Sequence, residues 1–379
     1  MKINICGDFT TEEKGLQSVM NGTALSQGVL SVLKDGDINV VNLEAPVRGK
    51  NSVGIKKNGP HLGTNPDTIK YLKKSGFHLL TLANNHFFDC GDNGVKATLQ
   101  AIDDNGLSSI GGGETAEKAH EPFVVEKEGM TVGFLNYCEN EFSTISKCGS
   151  NPLDLINVYH DIKSLREKCE YLIVIIHGGH EGYNLPSPRM KKTYHFFIEA
   201  GADLVVNHHQ HCHTGWEEYK NGRIYYGLGN FFFDRRSGKD YPLGIWNKGF
   251  MLQIEISKSG EAIFTEFPYY QCYTKKETYL LEGDEKKSFF SELAMMNDII
   301  RSDGSLQAFF DEFCSKEARN VKVTMSPYSN RILKALCRRN LLPSFFNEKR
   351  KLDFLNKIRC EAHLDVLVNC LKNNIYGYN

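Results

Sequence analysis

The sequence predicts an α/β fold in which helices cover layered sheets, and two observations lead to this prediction. Short β-rich apolar runs alternate with amphipathic helical stretches, and clusters of polar residues follow several of those runs directly. Such alternation is typical of α/β proteins. The predicted strands cover residues 3–6, 38–43, 79–83, 132–137, 172–176, 204–206, 224–228 and 251–256, with helices at 68–74, 95–103 and 190–200 among them.

The C-terminal part of the chain has a different character. Residues 288–300, 329–339 and 350–371 show the three-to-four apolar spacing of amphipathic helices. We therefore expect a first domain over residues 1–272 and a helical, basic region over residues 273–379. The charge agrees with this division, because the chain carries −1 overall but thirteen Lys/Arg against five Asp/Glu from Lys316 onward.

Composition excludes several classes of protein. Hydrophobic residues make up 41% and charged residues 24% of the 379 residues, which is typical of a globular protein and not of a uniformly basic nucleic-acid binder. The eleven cysteines are dispersed and none forms a CxxC motif, which favours a reducing compartment. With no apolar leader after Met1-Lys2 and no membrane-anchor segment, the sequence predicts a cytoplasmic protein.

Metal-ligand side chains follow the predicted strands in five segments. These are Cys6-Gly7-Asp8, Asn42-Leu43-Glu44, Ala83-Asn84-Asn85-His86, His177-Gly178-Gly179-His180-Glu181 and His208-His209-Gln210-His211. Taken singly, each acid could be a helix cap or surface group, and each histidine a hydrogen-bonded structural residue. Together, at strand ends where open α/β sheets place ligand-binding groups, they favour a two-metal hydrolytic centre.

The order of these motifs resembles the bacterial capsule and poly-γ-glutamate synthesis protein CapA family, within the calcineurin-like metallophosphoesterase fold. The matching segments lie within the first 235 residues and leave the C-terminal region uncovered. They are Gly7-Asp8, Asn42-Leu43-Glu44-Ala45-Pro46, Ala83-Asn84-Asn85-His86-Phe87-Phe88-Asp89-Cys90-Gly91, His177-Gly178-Gly179-His180-Glu181, Gly201-Ala202-Asp203, His209-Gln210-His211 and Gly227-Leu228-Gly229-Asn230-Phe231-Phe232-Phe233-Asp234.

The resemblance implies an αββα sandwich with two divalent metals, and a set of His, Asn and carboxylate ligands fits manganese, iron or zinc. The C-terminal helical appendage lies outside the resemblance. The resemblance also implies that the metal ligands are Asp8, Glu44 as the bridge, Asn85, His177, His209 and His211. It further implies that His86 is the proton donor, oriented by Asp89, and that Glu181 and Asn230 shape the substrate pocket.

Two departures from the wider pattern bear on these expectations. Thr10 stands where phosphoesterases have a histidine two residues after the first aspartate, so we expect the first metal site to have fewer ligands. Capsule-family members also often carry a membrane anchor, which this sequence is expected to lack.

Basic residues outside the ligand set have two interpretations. Lys56 and His61, in the segment Lys56-Lys57-Asn58-Gly59-Pro60-His61, are candidates to bind a phosphate or an anionic polymer, or are surface residues. Arg235-Arg236 is equally ambiguous. The basic C-terminal helices contain few interleaved aromatic residues, so nucleic-acid binding is disfavoured.

Three functions are therefore compatible with the sequence. The first is phosphoester hydrolysis of a phosphorylated or anionic polymer-related substrate in capsule biosynthesis. The second is hydrolysis of a γ-glutamyl amide by the same metal centre. The third, favoured by Thr10, is a non-catalytic protein that binds polymer during assembly.

Overall fold

A computed structural model describes residues 1–11, 13–141, 148–234, 245–343, 345 and 347–376 of the chain. Within these residues it contains sixteen strands, which are β1 Lys2–Thr10, β2 Ile38–Leu43, β3 Leu79–Thr81, β4 Ser108–Ile110, β5 Gly112–Gly113, β6 Phe123–Lys127, β7 Met130–Cys138, β8 Gly149–Ser150, β9 Tyr171–His177, β10 Leu204–His208, β11 Trp216–Tyr219, β12 Gly222–Tyr225, β13 Asn230–Phe233, β14 Lys248–Ile256, β15 Ala262–Gln271 and β16 Thr278–Leu280.

Twelve helices are present in the same residues. They are α1 Glu13–Met20, α2 Gln27–Asp35, α3 Pro66–Lys74, α4 Gly91–Asp104, α5 Ala116–His120, α6 Leu155–Arg166, α7 Pro188–Ala200, α8 Gly283–Arg301, α9 Asp303–Thr324, α10 Arg331–Arg338, α11 Glu348–Arg359 and α12 Glu361–Tyr376. The chain divides into two compact units, Met1–Gln307 and Ala308–Asn379.

Two sheets form the centre of the first unit. The larger has the order β16-β15-β14-β1-β2-β3-β4, with β13 also paired to β1, and the second has the order β11-β12-β10-β9-β7-β6. Side chains alternate between the two faces of a strand, so each strand of the larger sheet can contribute to two cores. On β1, Ile3 and Ile5 join Phe134, Ile173 and other residues of the second sheet in one buried cluster. This cluster is the layer between the sheets.

The outer faces of both sheets are covered by helices. The opposite face of β1, with Cys6 and Phe9, packs in a second buried cluster with apolar residues of α2, α3 and α4. Helices α6 and α7 contact β7, β9 and β10 of the second sheet. The predicted αββα sandwich is therefore confirmed, and its layer order is the one that the metallophosphoesterase resemblance implied.

The end of the first unit lies later than the predicted boundary near residue 272. The strand β16 follows that position, and α8 buries Phe289 and Leu293 in the cluster between the sheets. The first unit therefore extends to Gln307. In the second unit, the single helix predicted over residues 350–371 is two helices, because the chain breaks at Cys360 between α11 and α12. Among helices of the described residues, none is long and apolar enough to cross a membrane.

Candidate metal centre

Strand register brings the candidate ligands together at the carboxyl ends of parallel strands. In the larger sheet, Asp8 on β1 pairs with Asn42 on β2 and with Asn230 on β13. In the second sheet, His177 at the end of β9 pairs with His208 at the end of β10. Parallel strands end at the same edge, so residues far apart in sequence converge there.

The backbone around these residues is locally constrained. A Cβ on Gly7 would lie 1.8 Å from the carbonyl oxygen of Gly229, so only glycine allows β1 to approach the 229–230 turn and place Asp8. His209 and His211 have φ values of 88° and 56°, in the left-handed region that non-glycine residues rarely adopt. Strain of this kind costs about 1–3 kcal/mol per residue and is concentrated at functional sites.

Two groups of metal-ligand side chains share one carboxylate. The first consists of Asp8, Glu44 and His211, and the second of Glu44, His177 and His209; within each, the ligand atoms lie within 4.8 Å of one another and all residues are buried. Glu44 occupies the bridging position expected from the sequence. Thr10 is buried, and among the described residues this first group has three members; the expectation that it has fewer ligands than the second stays a prediction.

The second group has a fourth member. His177 Nε2 lies 3.0 Å from His209 Nδ1, 3.1 Å from Asn85 Oδ1 and 3.7 Å from Glu44 Oε1. An amide oxygen, two imidazoles and a carboxylate thus point to one small volume. That set is suited to a borderline divalent cation such as manganese, iron or zinc.

Side chains outside the ligand set orient its members. Asn42 Nδ2 donates to Asp8 Oδ1 over 2.7 Å. His211 Nδ1 lies 2.8 Å from Asn230 Oδ1, and Asn230 Nδ2 donates to the carbonyl oxygens of His211 and Trp246. Asn230 is fully buried and both ends of its amide are hydrogen-bonded, so it holds His211 in place; its predicted part in shaping the substrate pocket stays a prediction. Its hydrogen bond leaves Nε2 of His211, 3.5 Å from Glu44 Oε1, as the ligand atom.

The electrostatics of the cluster favour a bound cation. Glu44 is completely buried, and neither of its carboxylate oxygens has a hydrogen-bond partner within the described residues. Burial, reinforced by the charge of Asp8, raises the pKa of Glu44 well above its usual range, and burial raises the pKa of Asp8 to about 7. Orphaned buried carboxylate oxygens are costly unless a cation or a proton satisfies them.

The histidines complete that fit. Burial lowers the pKa of His177 far below its usual range and lowers the pKa of His211 and of His208 to about 3. These imidazoles are therefore neutral at physiological pH, which is the state that binds metal. His208 also lies at the site, although it was not among the predicted metal ligands; its Nδ1 is 3.6 Å from Asp8 Oδ1.

The predicted proton donor belongs to a three-residue cluster beside the ligands. His86 Nδ1 lies 2.6 Å from Asp89 Oδ2, as expected, and Lys57 forms an ion pair with the other oxygen of Asp89. Lys57 Nζ is also 3.3 Å from His86 Nδ1, and its side chain is only 2% exposed. Although burial opposes it, hydrogen bonding to His86 and Lys57 lowers the pKa of Asp89, which stays ionised at neutral pH.

The other predicted substrate residues lie farther out. Lys56 is exposed, and its neighbour Lys57 is the lysine that the structure places at His86. His61 is exposed at the rim of a cavity of about 590 Å³ that Thr10 and Arg48 also line, and its Nε2 lies 2.6 Å from the carbonyl oxygen of Ile55. Glu181 is exposed, and its negative charge contributes to raising the pKa of Glu44. Arg235-Arg236 lies outside the described residues.

The fold is thus an α/β sandwich whose strand ends bring together two groups of buried side chains that could hold a metal ion and that have Glu44 in common. The family described as bacterial capsule synthesis protein PGA_cap matches residues 2–235, which include every residue of both clusters. The chain belongs to this family of capsule synthesis proteins.

Relatives within the family agree with that assignment. The chain is 32% identical over 248 residues to the capsule biosynthesis protein CapA of Bacillus anthracis, covering 62% of this chain and 58% of the relative. It is 30% identical over 266 residues to the PGA biosynthesis protein CapA of Bacillus subtilis (strain 168), covering 68% of this chain and 66% of the relative. The chain thus spans about three fifths to two thirds of these relatives.

Solved structures with a similar arrangement include two hydrolases. A novel phosphatase from Mycoplasma pneumoniae aligns with a TM-score of 0.46 and 14% identity, covering 71% of this chain and 92% of that one. A 5'-nucleotidase from Candida albicans SC5314 aligns with a TM-score of 0.42 and 8% identity, covering 83% and 58%. Since both TM-scores are below 0.5, the fold rests on the observed topology.

Proposed function

We propose that the protein is a two-metal hydrolase that cleaves a phosphoester in an anionic, polymer-related substrate during capsule biosynthesis. The observation that carries the proposal is the buried Glu44, which belongs to both ligand groups and whose two oxygens have no hydrogen-bond partner among the described residues. Such a carboxylate is suited to bridging two cations. When bound, the cations would supply Lewis acidity toward the phosphoryl oxygens and an activated water.

The residues of the site have two roles, metal binding and proton transfer. The residues that would hold the cations together with Glu44 are Asp8, Asn85, His177, His209 and His211. Asp89 holds His86 through Nδ1, which leaves Nε2 as the atom that donates a proton to the leaving oxygen.

The primary test combines metal analysis with hydrolysis. The purified full chain is expected to contain close to two equivalents of divalent cation, His209→Ala less than one, and the exposed control His160→Ala the same as wild type. Wild type is expected to hydrolyse bis(p-nitrophenyl) phosphate, and His86→Ala to lose about 10²–10⁴-fold in rate with its metal retained. Metal-loaded protein that leaves the phosphodiester intact, or a His86→Ala variant as active as wild type, refutes the phosphoesterase.

Amide hydrolysis is a second candidate, favoured by the names of the PGA biosynthesis relative and of the polyglutamine synthesis accessory proteins of Mycobacterium tuberculosis. The same cations can polarise a carbonyl. γ-Glutamyl-p-nitroanilide, assayed beside the phosphodiester, separates the two: cleavage of the anilide alone, lost in His209→Ala, supports the amidase. Cleavage of neither by metal-loaded protein supports the non-catalytic alternative.

A further inference from the structure

The second unit leaves large apolar side chains at its surface. Among its described residues, only Val323 and Cys337 are buried hydrophobic residues. Several large apolar side chains of α10, α11 and α12 are instead between 37% and 70% exposed, including Ile332, Leu352, Leu355, Ile358, Leu364 and Leu371. The unit therefore has helices but very little core of its own.

These side chains are arranged as amphipathic faces. On α11, Leu352, Leu355 and Ile358 follow each other at intervals of three, so they lie on one side of the helix. The segment Lys349-Arg350-Lys351 supplies positive charge to the same helix. Most of the stability of a protein helix comes from covering its apolar face, because short isolated helices are marginal in water. A partner with an apolar surface is therefore needed.

The positive charge of the second unit indicates which kind of partner fits this surface. Residues 331–376 contain ten Lys/Arg and four Asp/Glu. A second copy of the unit would meet this face with the same excess of positive charge, which disfavours self-association. A nucleic acid would satisfy the charge but leave the leucines uncovered. An anionic lipid bilayer meets both needs, because basic amphipathic helices bury their apolar face at the acyl boundary while Lys and Arg meet the headgroups.

We propose that α10, α11 and α12 form a docking surface for an anionic lipid bilayer, with the helices lying in the plane of the interface. The interaction is independent of the metal centre and of any hydrolytic activity. It requires both the exposed apolar residues and the basic residues, and this double requirement makes the proposal testable.

Flotation of the full chain with vesicles tests it. Vesicles of phosphatidylglycerol and phosphatidylcholine in equal parts are expected to carry the protein, and vesicles of pure phosphatidylcholine at least tenfold less. Raising the salt from 0.1 M to 0.5 M is expected to weaken binding severalfold, because the electrostatic part is screened. The absence of flotation with the anionic vesicles at low salt overturns the proposal.

Variants separate the two contributions. Leu352→Asp with Leu355→Asp is expected to reduce binding at least tenfold, as is Lys349→Glu with Lys351→Glu. Ile263→Asp, which alters a residue of β15 that is 67% exposed, is the matched control and is expected to bind like wild type. Circular dichroism and metal content verify that each variant is folded.

Three other results would contradict the surface. One is equal vesicle binding by the leucine variant and wild type. Another is a concentration-dependent dimer in sedimentation equilibrium that the leucine substitutions abolish, without vesicle binding. The third is binding to a DNA duplex that matches binding to the anionic vesicles in affinity and survives the leucine substitutions.

Discussion

Lys57 provides the sharpest test of how the site is held together. Its ammonium group pairs with Asp89, and Leu62 N donates to Asp89 Oδ2 over 2.7 Å while Ile55 N donates to the backbone oxygen of the same aspartate. Asp89 thus fixes the 55–62 segment and His86 at once. Lys57→Met keeps most of the side-chain volume and removes only the charge, so it isolates the ion pair.

The expected loss of stability follows from burial. The side chains of Lys57 and Asp89 are 2% and 0% exposed. Removing one partner of a buried ion pair costs about 3–5 kcal/mol because the other charge stays buried. Asp89 keeps the hydrogen bonds from His86 and Leu62 N. The lower end, about 3 kcal/mol, therefore applies.

Urea unfolding of the first unit measures this loss. With an m value of about 3 kcal/mol per molar urea, the midpoint is expected to fall by about 1 M. Lys50→Met, at an exposed position of the preceding loop, is the matched control and is expected to shift it little. In a double-mutant cycle with Asp89→Asn, the combined loss should be smaller than the sum by about 0.5–3 kcal/mol. Additive losses, or a Lys57→Met midpoint equal to that of the control, refute the reasoning.

Three further predictions concern the ligand cluster. His209 has a φ of 88°, which glycine adopts without strain, so without cations His209→Gly should unfold in urea with a free energy about 1 kcal/mol higher than His209→Ala. Calorimetry should show that neither variant binds the second cation. Asn230→Ala frees His211 and should weaken cation binding about 10- to 100-fold in the same titration, with exposed Asn157→Ala unchanged. The pKa of Asp8 is raised from 3.8 to about 7, so the folded state holds a proton that the unfolded state has released. The buried histidines titrate near their ordinary pKa of about 6.5 in the unfolded chain, so their effect on stability ends about one pH unit above it. From about pH 7.5 upward, thermal unfolding in chelator should therefore show stability falling as pH rises, while cation affinity rises.

The fold was predictable where a segment is regular along its whole length. The strand over residues 38–43 has the predicted bounds, and the helices α3, α4 and α7 appear within a few residues of their predicted positions. The missed elements are those whose character depends on partners. The first half of β15 alternates between half-buried and exposed residues, and β16 has only three residues. Neither strand is therefore recognisable until β15 pairs with β14 and β16 pairs with β15.

The candidate ligands were predictable because each follows a strand, whereas their supporting residues were not. Asn42 was visible beside Glu44, but its bond to Asp8 depends on the register of two strands. Lys57 and Lys56 are indistinguishable in sequence, and only the path of the loop brings one of them to Asp89. The role of Asn230 was not predictable either, because its hydrogen bond to His211 depends on the left-handed backbone conformation of His211.

The burial of the cluster and its proposed affinity for cations have the same physical origin. A carboxylate as deeply buried as Glu44 is destabilising when ionised and alone, and the neutral imidazoles around it supply no compensating charge. Without a cation, the low-energy state of Glu44 is protonated, so a cation held by this cluster would displace that proton. A solvated glutamate, or one paired with an arginine, would destabilise the cation-free protein less than Glu44 does. It would also contribute less free energy to cation binding. The strained backbone at His209 and His211 also destabilises the cation-free fold, and cation binding by these two imidazoles would offset that strain.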